Sequence, residues 1–415
     1  MKIAFVIPWY GKNAAGGAEA ECRSLVMGLR DLRPDIEVEV LTTCLKEFAA
    51  DWNENVHKEG QTTEDGVTIR RFTATRENRR LFGFINGRYL MGHSVADLWQ
   101  GNRPKSPLWS VLEKYYIRKM IRSESMVLYI KDHRASYDFF IFMPYMFGTT
   151  YFGSLAAGDK AIILPCLHNE RYAFMDIYRE MMARARACLY LVEAEKRLAK
   201  KLYNLPDSGQ HLLGAMVETA GPVGDGARFR KKYSISDKFL LYAGRKVEGK
   251  NLPLLVERFK AFRQRSNHEK NLKLVIIGRG NLDYKKNLAD GIVDLGFVSA
   301  EDKIDAMAAA DIFCMPSLNE SFSIVLMETW LQGIPALVHA ECDVTREHCE
   351  VSGGGLAFSD QNSFDQHLEY LLGDDARRIS MGELGRGYVL ANFTEEKIIN
   401  RFAGILDAEK RNSLN

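Results

Sequence analysis

DIFCMPSLNESFSIVLMETWLQGIPALVHA, residues 311–340, decides the fold class. An apolar run (DIFCMP, 311–316) ends in a turn. Glu320 precedes a helical segment from about Phe322 to Gln332, which Gly333 and Pro335 stop. PALVHA (335–340) then opens a second apolar run. Both runs are continuous rather than alternating, the pattern of strands buried on both faces of a parallel sheet. The same alternation extends outward. Strand-like runs stand at 2–8, 38–43, 67–72, 139–144, 161–166, 188–192, 239–244 and 272–278. Helical patterns lie between them at 16–31, 110–131, 193–203, 251–265, 300–309 and 376–391. Repeated strand–helix units predict doubly wound α/β sheets. The lack of a 20–50-residue repeat excludes a solenoid.

At 415 residues the chain is long enough for two or three domains. The strongest boundary signal is YNLPDSGQ (203–210), a turn-rich stretch after a charged helix. A second polar stretch, GPVGDGARFRKK (221–232), follows before the units restart. The expectation is an α/β domain over 1–206 and another over 207–394, with a cleft between them as the default ligand site. Residues 45–66 are polar and turn-rich and read as an exposed loop. The final helical stretch, from Glu395, has no docking site fixed by its pattern.

Apolar residues make up 46% and charged residues 27%, the balance of a globular protein rather than a disordered one. With a net charge of +2, an electrostatic partner has to be recognised by a local patch. Seven cysteines, none at C-x-x-C spacing, argue against a disulfide framework or zinc site and fit a reducing compartment. MKIAFVIPWYG reads as a first strand, not a signal peptide. The uncharged stretch Phe139–Gly158 contains Pro144, Gly148 and Gly153. It reads as strand, loop and short helix rather than a membrane span.

Three segments carry chemistry. In the first, Glu320 stands on the loop before a helix and Glu328 about two turns inside it. First-turn amides at Ser321, Phe322, Ser323 and Ile324 suit a phosphate, and the deeper carboxylate suits ribose or sugar hydroxyls. An amphipathic helix with solvated glutamates fits the same pattern. In the second, FLLYAGRKVEGKNLPLL (239–255), Arg245 lies just past a strand end and Lys250 just before a helix. Ligands of open α/β sheets bind outside carboxyl ends of strands, and two cations there suit a diphosphate whose charge grows during reaction. A solvated loop is the alternative. In the third, PWYGKNAAGGAEAE (8–21), Gly16 and Gly17 allow close backbone approach to a phosphate or sugar at a helix start. Neither a P-loop nor a dinucleotide fingerprint is present, and GRGNLD (278–283) offers only G-x-G.

With GGAE (16–19), Gly244-Arg245-x4-Lys250-Asn251 and Glu320-x7-Glu328 in order, the chain resembles family 4 glycosyltransferases of the GT-B fold. LGFVSAEDK (295–303), AADIFCMPSLNESF (309–322) and SGGGLAF (352–358) extend the resemblance. It implies two Rossmann-like domains facing each other across a cleft, the C-terminal one holding a nucleotide-sugar donor and the N-terminal one an acceptor. It implies net retention at the anomeric carbon, no cofactor and no metal. By the same resemblance Arg245 and Lys250 stabilise the donor phosphates, Glu320 binds the donor sugar and Glu328 the ribose. Backbone near Phe297 and Val298 meets the base, and the terminal helix (395–412) packs back on the first domain. His168, just beyond an apolar strand, resembles the family's active-site histidine; a capped loop histidine is the alternative. Many relatives carry a histidine after the preceding strand, where this chain reads FMPYMFG (142–148). The chain has no D-x-D, in line with metal independence. His339 and His348 read as structural.

Residues 76–134 hold twelve basic and five acidic side chains, a net of +7, with Trp109, Tyr115 and Tyr116 among them. Such a patch suits an anionic membrane surface, and a solvated basic helix face fits equally. No nucleic-acid module is present. The function expected is transfer of a sugar from a UDP- or GDP-sugar to a glycan or lipid-linked acceptor in bacterial polysaccharide or lipopolysaccharide assembly. The setting expected is the cytoplasm, at the inner membrane face. A nucleotide-sugar epimerase and a non-catalytic glycan or nucleotide binder are the alternatives.

Overall fold

The computed structural model describes the chain except residues 12–15, 49, 78, 91–93, 102–106, 266–270, 281–290 and 414–415, and the side chains of 89–90 and 107–108. The chain divides into two compact units. One comprises Met1–Met216 with Glu396–Asn415, the other Val217–Glu395.

Among the described residues, the first unit is built on eight strands. They are β1 Lys2–Val6, β2 Glu37–Thr43, β3 Gly60–Glu64, β4 Val67–Phe72, β5 Phe139–Phe142, β6 Ala161–Ile163, β7 Ala187–Tyr190 and β8 Gln210–Leu212. Their order is β3-β4-β2-β1-β5-β6-β7-β8. Every pairing is parallel except the antiparallel β3–β4 edge. In β1, Ile3 and Phe5 are as completely buried as Ala4 and Val6, because helices cover both faces. That is why the run is uniformly apolar.

Three expectations change here. The stretch 45–66 is not all loop, since GQTTE forms β3 and closes a hairpin through Asp65-Gly66, both at positive φ. Asn-Gly and Asp-Gly pairs favour such hairpins because both central residues adopt φ above zero. The helical pattern 110–131 is two helices, Pro107–Lys119 and Glu124–His133. Ser123 caps the second by accepting from the Met126 amide. The unit boundary is Met216/Val217 rather than 206/207. YNLPDSGQ only leads from the helix Glu193–Tyr203 into β8, whose residues pair with Cys188, Leu189 and Tyr190 of β7.

The helix Glu395–Asn412 buries Ile398, Ile399, Phe402, Ala403 and Leu406, a single apolar stripe. Phe402 meets Phe5 edge-on at 6.0 Å. Buried Glu409 forms an ion pair with Arg186 (3.0 Å) and pairs with His211 (2.8 Å). Lys410 reaches Asp138 at 2.8 Å.

The second unit holds β9 Phe239–Ala243, β10 Lys273–Ile277, β11 Ile292–Gly296, β12 Ile312–Met315, β13 Ala336–His339 and β14 Gly355–Phe358. The sheet is wholly parallel, in the order β11-β10-β9-β12-β13-β14. This is the doubly wound order in which the winding reverses between the first and fourth strands, here β9 and β12. A core of Leu240, Tyr242, Leu274, Ile276, Ile312 and Leu337 packs beneath the helices Leu252–Arg265 and Gln361–Leu372. The first and last segments of this unit are neighbours, with the Val217 amide donating to the Phe393 carbonyl at 3.0 Å.

Candidate functional site

Reversal of winding at β9/β12 opens a crevice at the carboxyl ends of those two strands. The loops that leave them carry the charged residues singled out in the sequence. After β9, Gly244, Arg245 and Lys246 run past the end of the sheet. The Gly244 amide donates to Ile277 (3.1 Å), the Lys246 amide to Arg279 (2.7 Å), and the Tyr242 hydroxyl to the Arg245 carbonyl (2.9 Å). Lys246 turns inward and forms a buried ion pair with Asp294. Arg245 turns outward, exposed. A single 3₁₀ turn, Glu248–Lys250, then leads through Asn251, at φ 52°, into the helix Leu252–Arg265.

The β12 loop meets this one directly. Lys250 Nζ lies 2.6 Å from Glu320 Oε1, and the carboxylate side chain is only 9% exposed. Two residues 70 apart in sequence are thus one ion pair at the switch point. Burial, with Glu320 nearby, raises the Tyr242 phenol well above its ordinary range.

Ser323 occupies the left-handed region (φ 73°, ψ 66°), so the helix starts at Ile324 and not at Phe322 as the sequence suggests. Its hydroxyl donates to Met315 Sδ rather than capping the helix. The amides of Ser321, Phe322, Ser323 and Ile324 donate to no other described residue. Unclaimed amides at a helix start favour an anion. Strained backbone of this kind costs roughly 1–3 kcal/mol and concentrates at ligand sites. Phe322 is buried against His348, with ring centroids 5.2 Å apart, and against Phe393 at 5.0 Å. Burial lowers the His348 pKa to about 4, so the ring is neutral at physiological pH. It is a packing partner behind the loop.

Glu328 stands about one turn inside the helix Ile324–Leu331, nearer its start than two turns, and its Oε1 lies 2.7 Å from Lys303 Nζ. Phe297 and Val298 follow β11 on the same edge of the sheet. The Phe297 ring is 65% exposed, and the Arg279 guanidinium lies 4.1 Å over its centroid. Loops after β9, β11 and β12, with the helix that follows β12, therefore bring Arg245, Lys250, Phe297, Val298, Ser321 to Ile324, Glu320 and Glu328 to one edge of one sheet. The Lys246–Asp294, Lys303–Glu328 and Arg279–Phe297 contacts leave no trace in the sequence, because each joins separate elements.

Gly16, Gly17 and His168 belong to the first unit. Gly16 caps the helix Gly17–Leu32, and a methyl group there would overlap the buried Glu19 carboxylate. His168 follows β6 and Cys166, which is at φ 51°. Its Nδ1 lies 3.8 Å from Glu170, whose carboxylate accepts from the Tyr145 hydroxyl at 2.8 Å. The backbone beside His168 is fixed by fully buried Glu195, which accepts from the amides of Leu167 (2.6 Å) and Leu191 (2.7 Å). Burial outweighs both hydrogen bonds and raises the Glu195 pKa to about 7.

Glu21 is more extreme. It is buried on the helix Gly17–Leu32, accepts from the Met216 amide at 3.4 Å, and has a pKa raised by burial to about 8. The unfolded chain releases this proton near pH 4.5 and the native chain near pH 8. Glu21 therefore costs stability progressively as pH rises through that window, and the cost levels off above it. Glu21→Gln is expected to flatten the decline, with the variant gaining roughly 2 kcal/mol or more on wild type between pH 5 and pH 8. Denaturant titrations at both pH values measure it, and parallel pH dependences would refute it.

Of the basic segment, Arg103 and Lys105 lie outside the described residues. Lys119 and Arg122 both pair with Glu77, at 2.7 and 3.0 Å. Arg79 lies 5.0 Å over Trp52. Beside them Phe84 is 60% exposed, with Arg88 5.3 Å over its ring. Among the described residues no helix is long and apolar enough to cross a membrane. No group of three or more His, Cys, Asp or Glu residues among them could hold a metal ion, and all seven cysteines are free and buried.

Residues 226–388, most of the second unit, match the family model for glycosyl transferases, group 1. The GDP-mannose-dependent monoacylated alpha-(1-6)-phosphatidylinositol monomannoside mannosyltransferase of Corynebacterium glutamicum is 28% identical over 151 residues. Those residues are 34% of this chain and 40% of that relative, so the likeness spans less than half of either protein. Among solved structures, sucrose-phosphate synthase from Thermosynechococcus elongatus superposes with a TM-score of 0.70 at 15% identity, over 98% of both chains. HepE from Anabaena, in complex with UDP and glucose, superposes with a TM-score of 0.68 at 14% identity, over 98% of this chain and 100% of that one. These likenesses establish the fold as two parallel-sheet Rossmann-like domains of GT-B type.

Proposed function

We propose that this chain is a retaining, metal-independent glycosyltransferase. It moves a sugar from a UDP- or GDP-sugar to a glycan or lipid-linked acceptor in polysaccharide or lipopolysaccharide assembly. The observation that carries the reading is the Lys250–Glu320 contact at the β9/β12 switch point, within the segment matched by the group 1 glycosyl transferase model. Arg245, Lys250 and the amides of Ser321 to Ile324 receive the diphosphate. Glu320 holds the donor sugar, Glu328 the ribose, and the backbone at Phe297 and Val298 the base. Gly16, Gly17 and His168 serve the sugar and the acceptor. The bond from the anomeric carbon to the diphosphate oxygen breaks, and the acceptor oxygen bonds to that carbon on the same face. The acceptor proton passes to the departing phosphate oxygen. Cations fixed beside that oxygen stabilise its growing charge. The basic segment 76–134, with exposed Phe84 and Tyr115, suits an anionic membrane surface carrying a lipid-linked acceptor. On this reading the enzyme works in the cytoplasm, at the inner face of the cytoplasmic membrane.

A thermal-shift screen of UDP-, GDP- and ADP-sugars tests the donor assignment, since a ligand that prefers the folded state raises the apparent melting temperature. Absence of any shift across the panel would count against it. Labelled donor incubated with and without acceptor tests the reaction. Conversion of the sugar in the absence of acceptor would mark an epimerase instead. Glu328→Ala is expected to weaken the nucleoside diphosphate about 10- to 100-fold, the size of a lost charged hydrogen bond, and at least as much as it lowers turnover. Unchanged calorimetric affinity would remove Glu328 from the ribose site.

A further inference from the structure

Lys303 stands in the first turns of the helix Ala300–Ala309, which leaves the loop carrying Phe297 and Val298. Other charged residues of this helix face the neighbouring helix Gly226–Tyr233. Asp302 pairs with Lys232 at 2.8 Å, Asp305 with Arg228 at 2.9 Å, and Glu301 with Arg228 at 3.0 Å. Asp305 also accepts from the Asp225 amide at 2.7 Å. These contacts dock the helix without help from Lys303. Lys303 points the other way, to Glu328.

The Lys303 and Glu328 side chains are 35% and 32% exposed. An ion pair so wet contributes about 0–1 kcal/mol to stability, so folding gives little reason for the lysine. Its effect on the carboxylate is specific. Among the described residues, Lys303 is the hydrogen-bond partner of Glu328, and it engages Oε1 alone. A carboxylate engaged at one oxygen leaves the lone pairs of the other available to accept.

We propose that Lys303 is a positioning residue for nucleoside recognition. It fixes the Glu328 carboxylate so that Oε2 accepts from the ribose hydroxyls of the donor, and so favours ribonucleotides. The inference rests on Glu328 being the ribose ligand of the proposed donor site. It adds that the helix after the base loop and the helix carrying Glu328 act together through one ion pair.

The test is calorimetric titration of UDP and GDP and of their 2′,3′-dideoxy counterparts into wild type, K303M and K303R, with melting curves recorded for each. Wild type is expected to prefer one ribonucleotide to its dideoxy form by about tenfold or more, the scale of a charged hydrogen bond. K303M is expected to lose most of that preference by weakening the ribonucleotide, with the dideoxy form changed less than about twofold, within the energy of a fraction of one hydrogen bond. K303R, which restores the cation, is expected to recover part of the preference. Should K303M melt early, K303Q takes its place with the same expectation. An unchanged preference in the variant overturns the proposal. So does an equal loss for both nucleotide forms, which would mean that Lys303 acts on phosphate or base. Failure of wild type to bind either ribonucleotide overturns the donor-site reading itself, a separate result.

Discussion

Lys250→Ala is expected to lower turnover roughly 100-fold or more, with binding of the nucleotide sugar weakened less than turnover. Catalytic electrostatics of this kind are worth about that much because the charge is already in place when the leaving group forms. Here the cation is held by the Glu248–Lys250 turn and by Glu320 at 2.6 Å. Its loss has a second consequence. The Glu320 side chain is 9% exposed, so removing the lysine leaves a largely buried carboxylate without its countercharge, beside the position assigned to an anionic diphosphate. Adding Glu320→Gln to Lys250→Ala is therefore expected to restore part of the nucleotide affinity and little of the turnover. Steady-state rates with labelled donor and acceptor, paired with calorimetry, separate the two. Near-normal turnover of Lys250→Ala would reject the role.

Gly278→Ala is expected to be the most damaging small substitution near the site. Gly278 has φ 133°, and a methyl group there would overlap the Gly244 carbonyl. That obstacle is backbone, not a side chain that can swing away. The Gly278 amide also donates to Gly296 at 2.7 Å, so loops after β9, β10 and β11 close against one another at this point. Unfavourable backbone and overpacking each cost about 1–3 kcal/mol. The unit is expected to lose about 3 kcal/mol and roughly 10 °C in melting temperature, together with any nucleotide-induced shift. Gly249, with nothing within 4 Å of an added methyl group, is the control. Gly249→Ala is expected to melt within about 2 °C of wild type, since it carries neither penalty. Equal melting of the two variants would show that the three loops are not mutually locked.

The two sheets could be read in the sequence because their strands are buried on both faces. After the lysines that open two of them, KIAFV, FLLYA and KLVII are apolar throughout. Among the strands, those at the edges left the weakest trace. GQTTE has no apolar residue, since β3 is exposed along nearly its whole length, and only the Asp65-Gly66 turn announced it. QHL of β8 is too short to show a period. In the site, Lys250 and Glu320 could be named because each stands at a strand–helix junction, where topology fixes the position. Lys303 could not, because a lysine in the first turns of a helix reads as solvated until its neighbour across the groove is known. Gly278 was visible only as a weak G-x-G, and its significance comes from the carbonyl opposite it. Helix starts shifted where a residue such as Ser323 adopts a conformation that sequence does not forecast.

The return of the last helix to the first unit gives the chain two crossings, at Met216/Val217 and at Glu395/Glu396. The second unit is thus an insert within the first, and its two junctions are stitched together where Val217 meets Phe393. A single protease cut at either crossing would leave the halves tethered by the other, so nicked protein should migrate whole until denatured. For the same reason 217–395 is a cassette that can be lifted out, or exchanged for that of a relative, at two adjacent seams while both flanking segments of the first unit stay untouched.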